Sequence, residues 1–152
     1  IKNMIYWFTG QPGSGKTTLA ELLKDKLEEN RNFVYKVFRI DGDDIRKLFQ
    51  NQDYSIKGRV DNVSTAQRIA LYLHNQEKDV IVSLVSPYLD QREDFKSLLG
   101  DNIKEIYVHS TNKNDRDKYK SIAYKPPVSN FIDIDTSIDT PVESLKKILE
   151  KL

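Results

Sequence analysis

The sequence predicts an α/β fold in three layers (α/β/α), in which a five-stranded parallel sheet lies between two layers of helices. Five short apolar runs alternate with segments of helical period along the 152 residues, an order typical of parallel sheets with crossover helices. Residues 80–85 are apolar except for Ser83, as expected for a strand covered on both faces. Ligands of such sheets bind beyond the carboxyl ends of the strands, so we expect the functional residues there.

The first strand and the first helix flank a glycine-rich loop. The strand is predicted at about Met4 to Thr9 and the helix extends to about Asn30, with leucines at helical spacing. Between them, the run Gly10-Gln11-Pro12-Gly13-Ser14-Gly15-Lys16-Thr17 fits the pattern G-x-x-x-x-G-K-[ST] without a gap. A strand, this loop and a helix in succession predict a P-loop NTPase-type fold.

The loop, called the phosphate loop below (residues 10–17), has the chemistry that a triphosphate needs. Its backbone N–H groups and the following helix N-terminus attract phosphate oxygens. Lys16 is expected to reach the β- and γ-phosphates as a catalytic residue, and the Thr17 hydroxyl to ligate Mg²⁺. We therefore predict ATP and Mg²⁺ as ligands. The predicted ATP-binding residues are Gly10, Gly13, Ser14, Gly15, Lys16, Thr17 and Thr18.

The rest of the chain continues the alternation, and residues 1–152 are expected to form one domain. The second strand is predicted at about Val34 to Ile40, and the short helix after it at positions that put Ile45, Leu48 and Phe49 on one side. The later elements are a polar loop at 50–59, a helix at 60–77, a strand at 80–85, a helix at 90–99, a strand at 103–109, a polar segment at 110–130, a strand at 131–135 and a last helix opened by the capping sequence Thr140-Pro141-Val142-Glu143.

Composition excludes several classes of protein. The chain has no cysteine, so it has no disulfide framework, zinc-thiolate site or cysteine nucleophile. A net charge of +1 gives no general attraction to nucleic acid or to a membrane, and no apolar run is long enough to span one. The first residues are expected to form a core strand instead of a signal peptide. We therefore expect a cytoplasmic protein with a small-molecule substrate.

A second cluster of functional residues follows the second strand, at Asp41-Gly42-Asp43-Asp44-Ile45-Arg46. A carboxylate here faces the γ-phosphate, where it can accept a proton from an acceptor hydroxyl or hold Mg²⁺ directly or through water. Asp43 is the first candidate and Asp41 the second, while Asp44 is also suited to capping the short helix. Arg46 lies one helical turn from Asp43 and suits an anionic acceptor.

Four motifs in order resemble the adenylyl-sulfate kinase family. They are GQPGSGKTT, DGDDIR, YSIKGRVDN and VSLVSPY, and the late segment FIDIDTS resembles the family's L-x-[IVL]-D-T. The resemblance covers nearly the whole chain. It implies phosphoryl transfer from ATP to the ribose 3′-hydroxyl of a nucleotide, with Asp43 near that hydroxyl and near Mg²⁺. It also implies a homodimer.

The resemblance further implies which residues bind the acceptor. Arg46 would bind its phosphate and Tyr54 would stack on its base. The residues that match the family's other acceptor positions are Arg59, Asn62 and Ser86. The family motif F-S-x-x-D-R-x-E-N has an Asp where this chain has Gly58, and a Glu where it has Asp61. Ser86 is expected to contact the acceptor without a covalent role, because in-line transfer needs no covalent intermediate.

The chain departs from the family between residues 110 and 130, where adenylyl-sulfate kinases have a longer lid. Arg116-Asp117-Lys118-Tyr119-Lys120 resembles the start of that lid, but its F-T-G-[IV]-D piece is missing. We expect a short lid in which lysines and arginines steady phosphate charge, with Lys125 among the acceptor-binding residues. Tyr119 and Tyr124 are the candidates for a ring over the acceptor base.

The altered lid favours a different acceptor. The cytidine diphosphoramidate kinases, from bacterial capsule phosphoramidate pathways, are similar to compact adenylyl-sulfate kinases and use a smaller base with a longer anionic tail. We therefore favour cytidine 5′-diphosphoramidate over adenylyl sulfate as the acceptor.

Two other functions remain open at the level of sequence. Asn112-Lys113-Asn114-Asp115 matches the guanine-binding N-K-x-D motif of GTPases, but no D-x-x-G is present. A kinase of RNA or DNA ends would require a basic track, which the dispersed lysines do not form. The sequence supports both of these functions less well than it supports a nucleotide kinase.

Overall fold

The structure, a computed structural model, describes residues 2–152 and contains the parallel sheet that the sequence predicts. Its strands all run parallel in the order β2-β3-β1-β4-β5. The strands are β1 (Ile5–Thr9), β2 (Phe38–Asp41), β3 (Val80–Ser83), β4 (Ile103–His109) and β5 (Ile132–Asp135). The central strands β1 and β3 are entirely buried, whereas β4 alternates between buried and half-buried residues.

Helices cover both faces of the sheet and complete the three predicted layers. The helices are α1 (Lys16–Asn30), α2 (Gly42–Leu48), α3 (Ile56–Asn75), α4 (Leu89–Leu99) and α5 (Pro141–Glu150). On one face, residues of α3 and α4 such as Ala66 and Phe95 pack on Trp7 of β1. On the other face, residues of α1 and α5 such as Leu23 and Ile148 pack around Phe8. Each face therefore has its own apolar core, and β1 lies between them.

The predicted start of the second strand was wrong. β2 begins at Phe38 and not at Val34, because the chain turns first through Asn32 and Phe33, which have φ angles of 52° and 60°. Val34 is then left 76% exposed. The apolar residues 33–35 therefore lie in a turn beside the edge strand and not in the sheet.

The helices after β2 also differ from the prediction. Ile45 is buried in the core as expected, but Leu48 and Phe49 are 75% and 58% exposed, so the predicted inner side was wrong for both. α3 begins at Ile56, four residues before the predicted start, because the Ser55 hydroxyl accepts a hydrogen bond from the Gly58 N–H and caps the helix.

The predicted cap of the last helix is confirmed. Thr140 accepts a hydrogen bond from the Glu143 N–H, the Glu143 carboxylate accepts one from the Thr140 N–H, and Pro141 occupies the first helical turn. In the part of the chain that the structure describes, every helix is too short or too polar to cross a bilayer.

Candidate active site

A cleft of about 1090 Å³ opens at the carboxyl ends of β1, β2 and β3. Single ligand sites usually enclose about 300–1,000 Å³, so this cleft has room for a donor and an acceptor together. It is lined by Gly13, Gly15, Lys16, Thr17, Thr18, Asp43, Arg46, Tyr54, Arg59, Asn62 and Ser86 of the predicted site. Among residues 2–152, three other predicted site residues do not line the cleft: Gly10, Ser14 and Lys125.

Two glycines shape the phosphate loop. Gly10 has a φ of 155°, and a Cβ there would lie 2.1 Å from the carbonyl oxygen of Val108 on the neighbouring strand. Gly15 has a φ of 105°, which is left-handed, and it leads directly into α1. The loop therefore curls tightly over the end of β1 and directs the N-terminus of α1 into the cleft.

Lys16 lies at the centre of this loop. Its ammonium group donates hydrogen bonds of 2.9 Å to the carbonyl oxygens of Gly10 and Gln11. Burial lowers the pKa of Lys16 to about 8, with nearby Arg116 adding to the shift while Asp41 and Asp43 oppose it. A buried cation held only by neutral carbonyl oxygens is poised to exchange them for phosphate oxygens.

Asp41 organises the junction between the phosphate loop and α2. Its carboxylate accepts hydrogen bonds from the hydroxyls of Thr17 and Ser83, both at 3.3 Å, and caps α2 by accepting one of 3.0 Å from the Asp43 N–H. Because Asp41 makes the cap, the side chain of Asp43 lines the cleft without serving as one. Thr17, Asp41 and Asp43 thus place oxygen ligands around the expected position of the γ-phosphate.

The second wall of the cleft consists of α2, the start of α3 and the loop between them. The Arg46 guanidinium donates to the carbonyl oxygens of Asn51 and Asp53, each at 3.1 Å, and lies 4.0 Å from the centre of the Tyr54 ring. Arg59 donates a hydrogen bond of 2.8 Å to the carbonyl oxygen of Tyr54. The structure therefore brings these predicted acceptor residues together as one cationic and aromatic surface.

Two buried polar atoms in the cleft wall lack a protein partner. Within residues 2–152, neither Asn62 Oδ1 nor Ser86 Oγ has a hydrogen-bond partner, and Asn62 and Ser86 are only 7% and 1% exposed. Ser86 is held with a φ of 48°, an uncommon angle for a serine. Buried polar groups are almost always hydrogen-bonded, so these two atoms are candidates for a partner from the cleft.

A buried arginine, which the sequence analysis missed, supports the Ser86 turn. Arg92 of α4 donates to Glu105 Oε2 at 2.9 Å and to the carbonyl oxygen of Ser86 at 2.6 Å, and it also donates to the carbonyl oxygen of Lys125. Lys96 donates to the other oxygen of Glu105 at 2.8 Å. The sequence signal was a glutamate in the middle of an apolar strand, which demands a buried cation nearby.

The β4–β5 segment (residues 110–131) covers one side of the cleft. Arg116, Lys118, Tyr119 and Lys120 line the cleft as expected for a lid. Tyr124 is instead packed against the body of the protein, where its hydroxyl lies 2.9 Å from the Thr9 hydroxyl and burial raises its pKa to about 12. Of the two tyrosines proposed to cover a base, only Tyr119 is therefore in position.

Comparison with known proteins shows the family of this chain. The model of the adenylylsulphate kinase family matches residues 2–147. The chain belongs to the adenylyl-sulfate kinase family. Members of this family are ATP-dependent phosphotransferases that act on nucleotide derivatives, so the chain is a kinase and binds ATP.

Named relatives of this family member differ in their substrates. It is 30% identical to the cytidine diphosphoramidate kinase of Campylobacter jejuni over 146 residues, which are 93% of this chain and 83% of that protein. It is equally 30% identical to the adenylyl-sulfate kinase of Staphylococcus epidermidis over 171 residues, covering 99% of this chain and 84% of that protein.

The fold of this adenylyl-sulfate kinase family member is found in solved structures. The APS kinase CysC of Mycobacterium tuberculosis, solved in complex with AMPPNP and APS, superposes with a TM-score of 0.83 at 20% identity, covering 98% of this chain and 96% of that one.

Proposed function

We propose that this kinase transfers the γ-phosphoryl group of ATP to the ribose 3′-hydroxyl of a nucleotide 5′-derivative, and that cytidine 5′-diphosphoramidate is the favoured acceptor. The observation that carries the acceptor site is the pair of buried atoms Asn62 Oδ1 and Ser86 Oγ. They lie in the wall of the same cleft as Lys16 and Asp43, and a polar ligand would satisfy both.

The donor half of the site binds Mg·ATP. Lys16 would leave the carbonyl oxygens of the phosphate loop and bind the β- and γ-phosphates. The hydroxyl of Thr17 and the carboxylates of Asp41 and Asp43 are hard oxygen ligands that suit Mg²⁺, either directly or through water. When bound, this ion would neutralise charge on the transferred phosphoryl group.

The chemical step needs a base beside the acceptor hydroxyl. The 3′-oxygen attacks the γ-phosphorus, the bond from that phosphorus to the bridging oxygen of ADP breaks, and the hydroxyl proton passes to the Asp43 carboxylate. Lys16 on the donor side stabilises the charge that develops on the phosphate oxygens. Asp43 is free for this role because Asp41 caps the helix.

The choice of acceptor rests on the cationic surface and on the length of the β4–β5 segment. Arg46 and Tyr54 form a flat platform on which a base can stack, and Arg59 adds positive charge beside it. We propose that the β4–β5 segment is a short lid, in which Tyr119 is the only described ring that lines the cleft on that side. A short lid suits a small pyrimidine with a longer anionic tail.

Adenylyl sulfate is the second candidate acceptor. It is supported by the four family motifs and by relatives that are named adenylyl-sulfate kinases at the same identity. The homodimer implied by the resemblance and the cytoplasmic location expected from the composition belong to this proposal as well. Size-exclusion chromatography with light scattering would test the dimer.

A coupled ADP-release assay with Mg·ATP and the two acceptors side by side tests the proposal. We expect turnover with cytidine 5′-diphosphoramidate and its loss in Lys16→Ala and Asp43→Asn, with ATP still bound by the second variant. Phosphorylation must be located on the 3′-oxygen by NMR. Preference for adenylyl sulfate would overturn the favoured acceptor, and near-normal kcat in Asp43→Asn would remove that residue from its role.

A further inference from the structure

The β4–β5 segment is attached to the phosphate loop by a side chain of the loop itself. The Gln11 amide donates a hydrogen bond of 2.8 Å from Nε2 to the carbonyl oxygen of Ser121, and Oε1 accepts one of 2.9 Å from the Ser121 N–H. One side chain thus pairs with both main-chain polar groups of a residue 110 positions away. A second contact nearby joins Asn114 Nδ2 to the Gly13 carbonyl oxygen at 3.3 Å.

The Gln11 contact depends on the chemistry of this particular side chain. Ser121 is only 6% exposed, so its N–H and C=O need protein partners. A glutamine supplies one donor and one acceptor at the right reach, whereas a leucine of similar length supplies neither and a glutamate only acceptors. The motif G-x-x-x-x-G-K-[ST] leaves position 11 open, so phosphate binding alone does not require glutamine there.

The same residue also contacts the catalytic lysine. The main-chain carbonyl oxygen of Gln11 accepts a hydrogen bond from Lys16 at 2.9 Å. When Lys16 turns to a phosphate, this carbonyl loses its partner, so the backbone that carries the Gln11 side chain responds directly to nucleotide. The cations of the β4–β5 segment that line the cleft, Arg116, Lys118 and Lys120, lie just before the residue that Gln11 holds.

We propose that Gln11 is a positioning residue that holds the β4–β5 segment over the cleft when nucleotide occupies the phosphate loop. The segment then excludes water, so that the γ-phosphoryl group reaches the acceptor hydroxyl instead of water. Its effect on transfer rests on the proposed function, whereas its effect on the segment does not.

The test compares Gln11→Leu and Gln11→Glu with Gln76→Leu, a matched control at an exposed position just beyond α3. Hydrogen exchange of the Ser121 amide is measured with and without a non-hydrolysable ATP analogue. Initial rates then give the ratio of ADP formed by ATP hydrolysis to ADP formed by phosphoryl transfer to the acceptor.

We expect exchange at Ser121 to accelerate about tenfold in Gln11→Leu, because two hydrogen bonds are lost. Gln11→Glu keeps the acceptor for the Ser121 N–H and should fall between wild type and Gln11→Leu, and Gln76→Leu should match wild type. In Gln11→Leu the nucleotide analogue should no longer slow exchange, and the share of hydrolysis should rise several-fold while the KM for ATP changes little.

Unchanged exchange at Ser121 in Gln11→Leu would overturn the proposal, because the pairing would then not hold the segment. Faster exchange with an unchanged ratio of hydrolysis to transfer would overturn the coupling to catalysis. If the wild-type protein phosphorylated neither acceptor, the proposed function would fail by itself, and nucleotide-dependent protection of Ser121 that Gln11→Leu abolishes would still support the positioning role.

Discussion

Replacement of Arg92 by methionine should be the most destabilising single change in the acceptor half of the site. The side chains of Arg92 and Glu105 are both only 1% exposed, and the guanidinium also binds the carbonyl oxygens of Ser86 and Lys125. Arg92→Met therefore leaves a buried carboxylate with one partner fewer and two carbonyl groups without their charged donor. Methionine fills most of the space but replaces none of these bonds.

The expected cost follows from these contacts. Breaking a buried ion pair by removing one partner costs about 3–5 kcal/mol, and each deprived buried carbonyl adds about 1 kcal/mol or more. Lys96 remains 2.8 Å from Glu105 and keeps part of the compensation, so the total falls somewhat below the lowest sum of about 5 kcal/mol. We expect Arg92→Met to lower the free energy of unfolding by about 4 kcal/mol, a large share of the roughly 5–15 kcal/mol of a typical domain.

Urea unfolding followed by circular dichroism measures this change. With a slope of about 2 kcal/mol/M, the midpoint should fall by about 2 M. The double variant Arg92→Met with Glu105→Leu should cost at least about 1 kcal/mol less than the sum of the single variants, because the two charges are coupled. Lys57→Met, which breaks the exposed pair with Asp61, is the control and should leave the midpoint in place. Additive single effects, or a cost of Arg92→Met below about 1 kcal/mol, would refute the reasoning.

Three further changes test other parts of the structure. Burial lowers the pKa of Lys16 to about 8, so the native protein releases this proton at a lower pH than the unfolded chain does. The free energy of unfolding should therefore rise by about 3 kcal/mol between pH 8 and 10.5, relative to the variant Lys16→Met. The same pH dependence of the free energy of unfolding in the two proteins over this range would contradict this prediction. Gly58→Ala places a Cβ 2.1 Å from the Asp53 carbonyl oxygen, so the acceptor KM should rise about tenfold while the ATP KM stays constant, as steady-state kinetics would show. Thr140→Ala removes the cap of α5 and should lower stability by about 1 kcal/mol in thermal unfolding, an effect that Thr140→Ser should largely avoid.

Local signals decided which elements the sequence could predict. β4 was predicted with the bounds that the structure shows, because its apolar residues lie between the turn residues 100–102 and the polar residues 110–112. β2 was misplaced because Val34 and Tyr35 have the composition of a strand, while the turn at Asn32 and Phe33 depends on backbone angles that composition does not specify. Tertiary packing decides such segments.

In the candidate site, too, the sequence predicts the local features and does not predict the long-range contacts. The phosphate loop and the order of Asp41, Asp43 and Arg46 are local patterns, and a single motif places each in the cleft. The contacts of Gln11 with Ser121 and of Arg92 with Lys125 join residues that are 110 and 33 positions apart. No rule of sequence spacing predicts either contact, so only the three-dimensional structure reveals them.

If the β4–β5 segment selects the acceptor as proposed, the anchoring of Lys125 by Arg92 limits the part of the chain that has to change for a new acceptor. Residues 110–123 lie between two fixed points: the end of β4, where Gly10 packs against Val108, and the junction at Tyr124 and Lys125. Apart from Asn114 and Ser121, which contact the phosphate loop, the length and sequence of this stretch can change without disturbing either apolar core. Under the proposed function, a new acceptor would be acquired by replacing this one surface insert, while the phosphate chemistry beneath it stays unchanged.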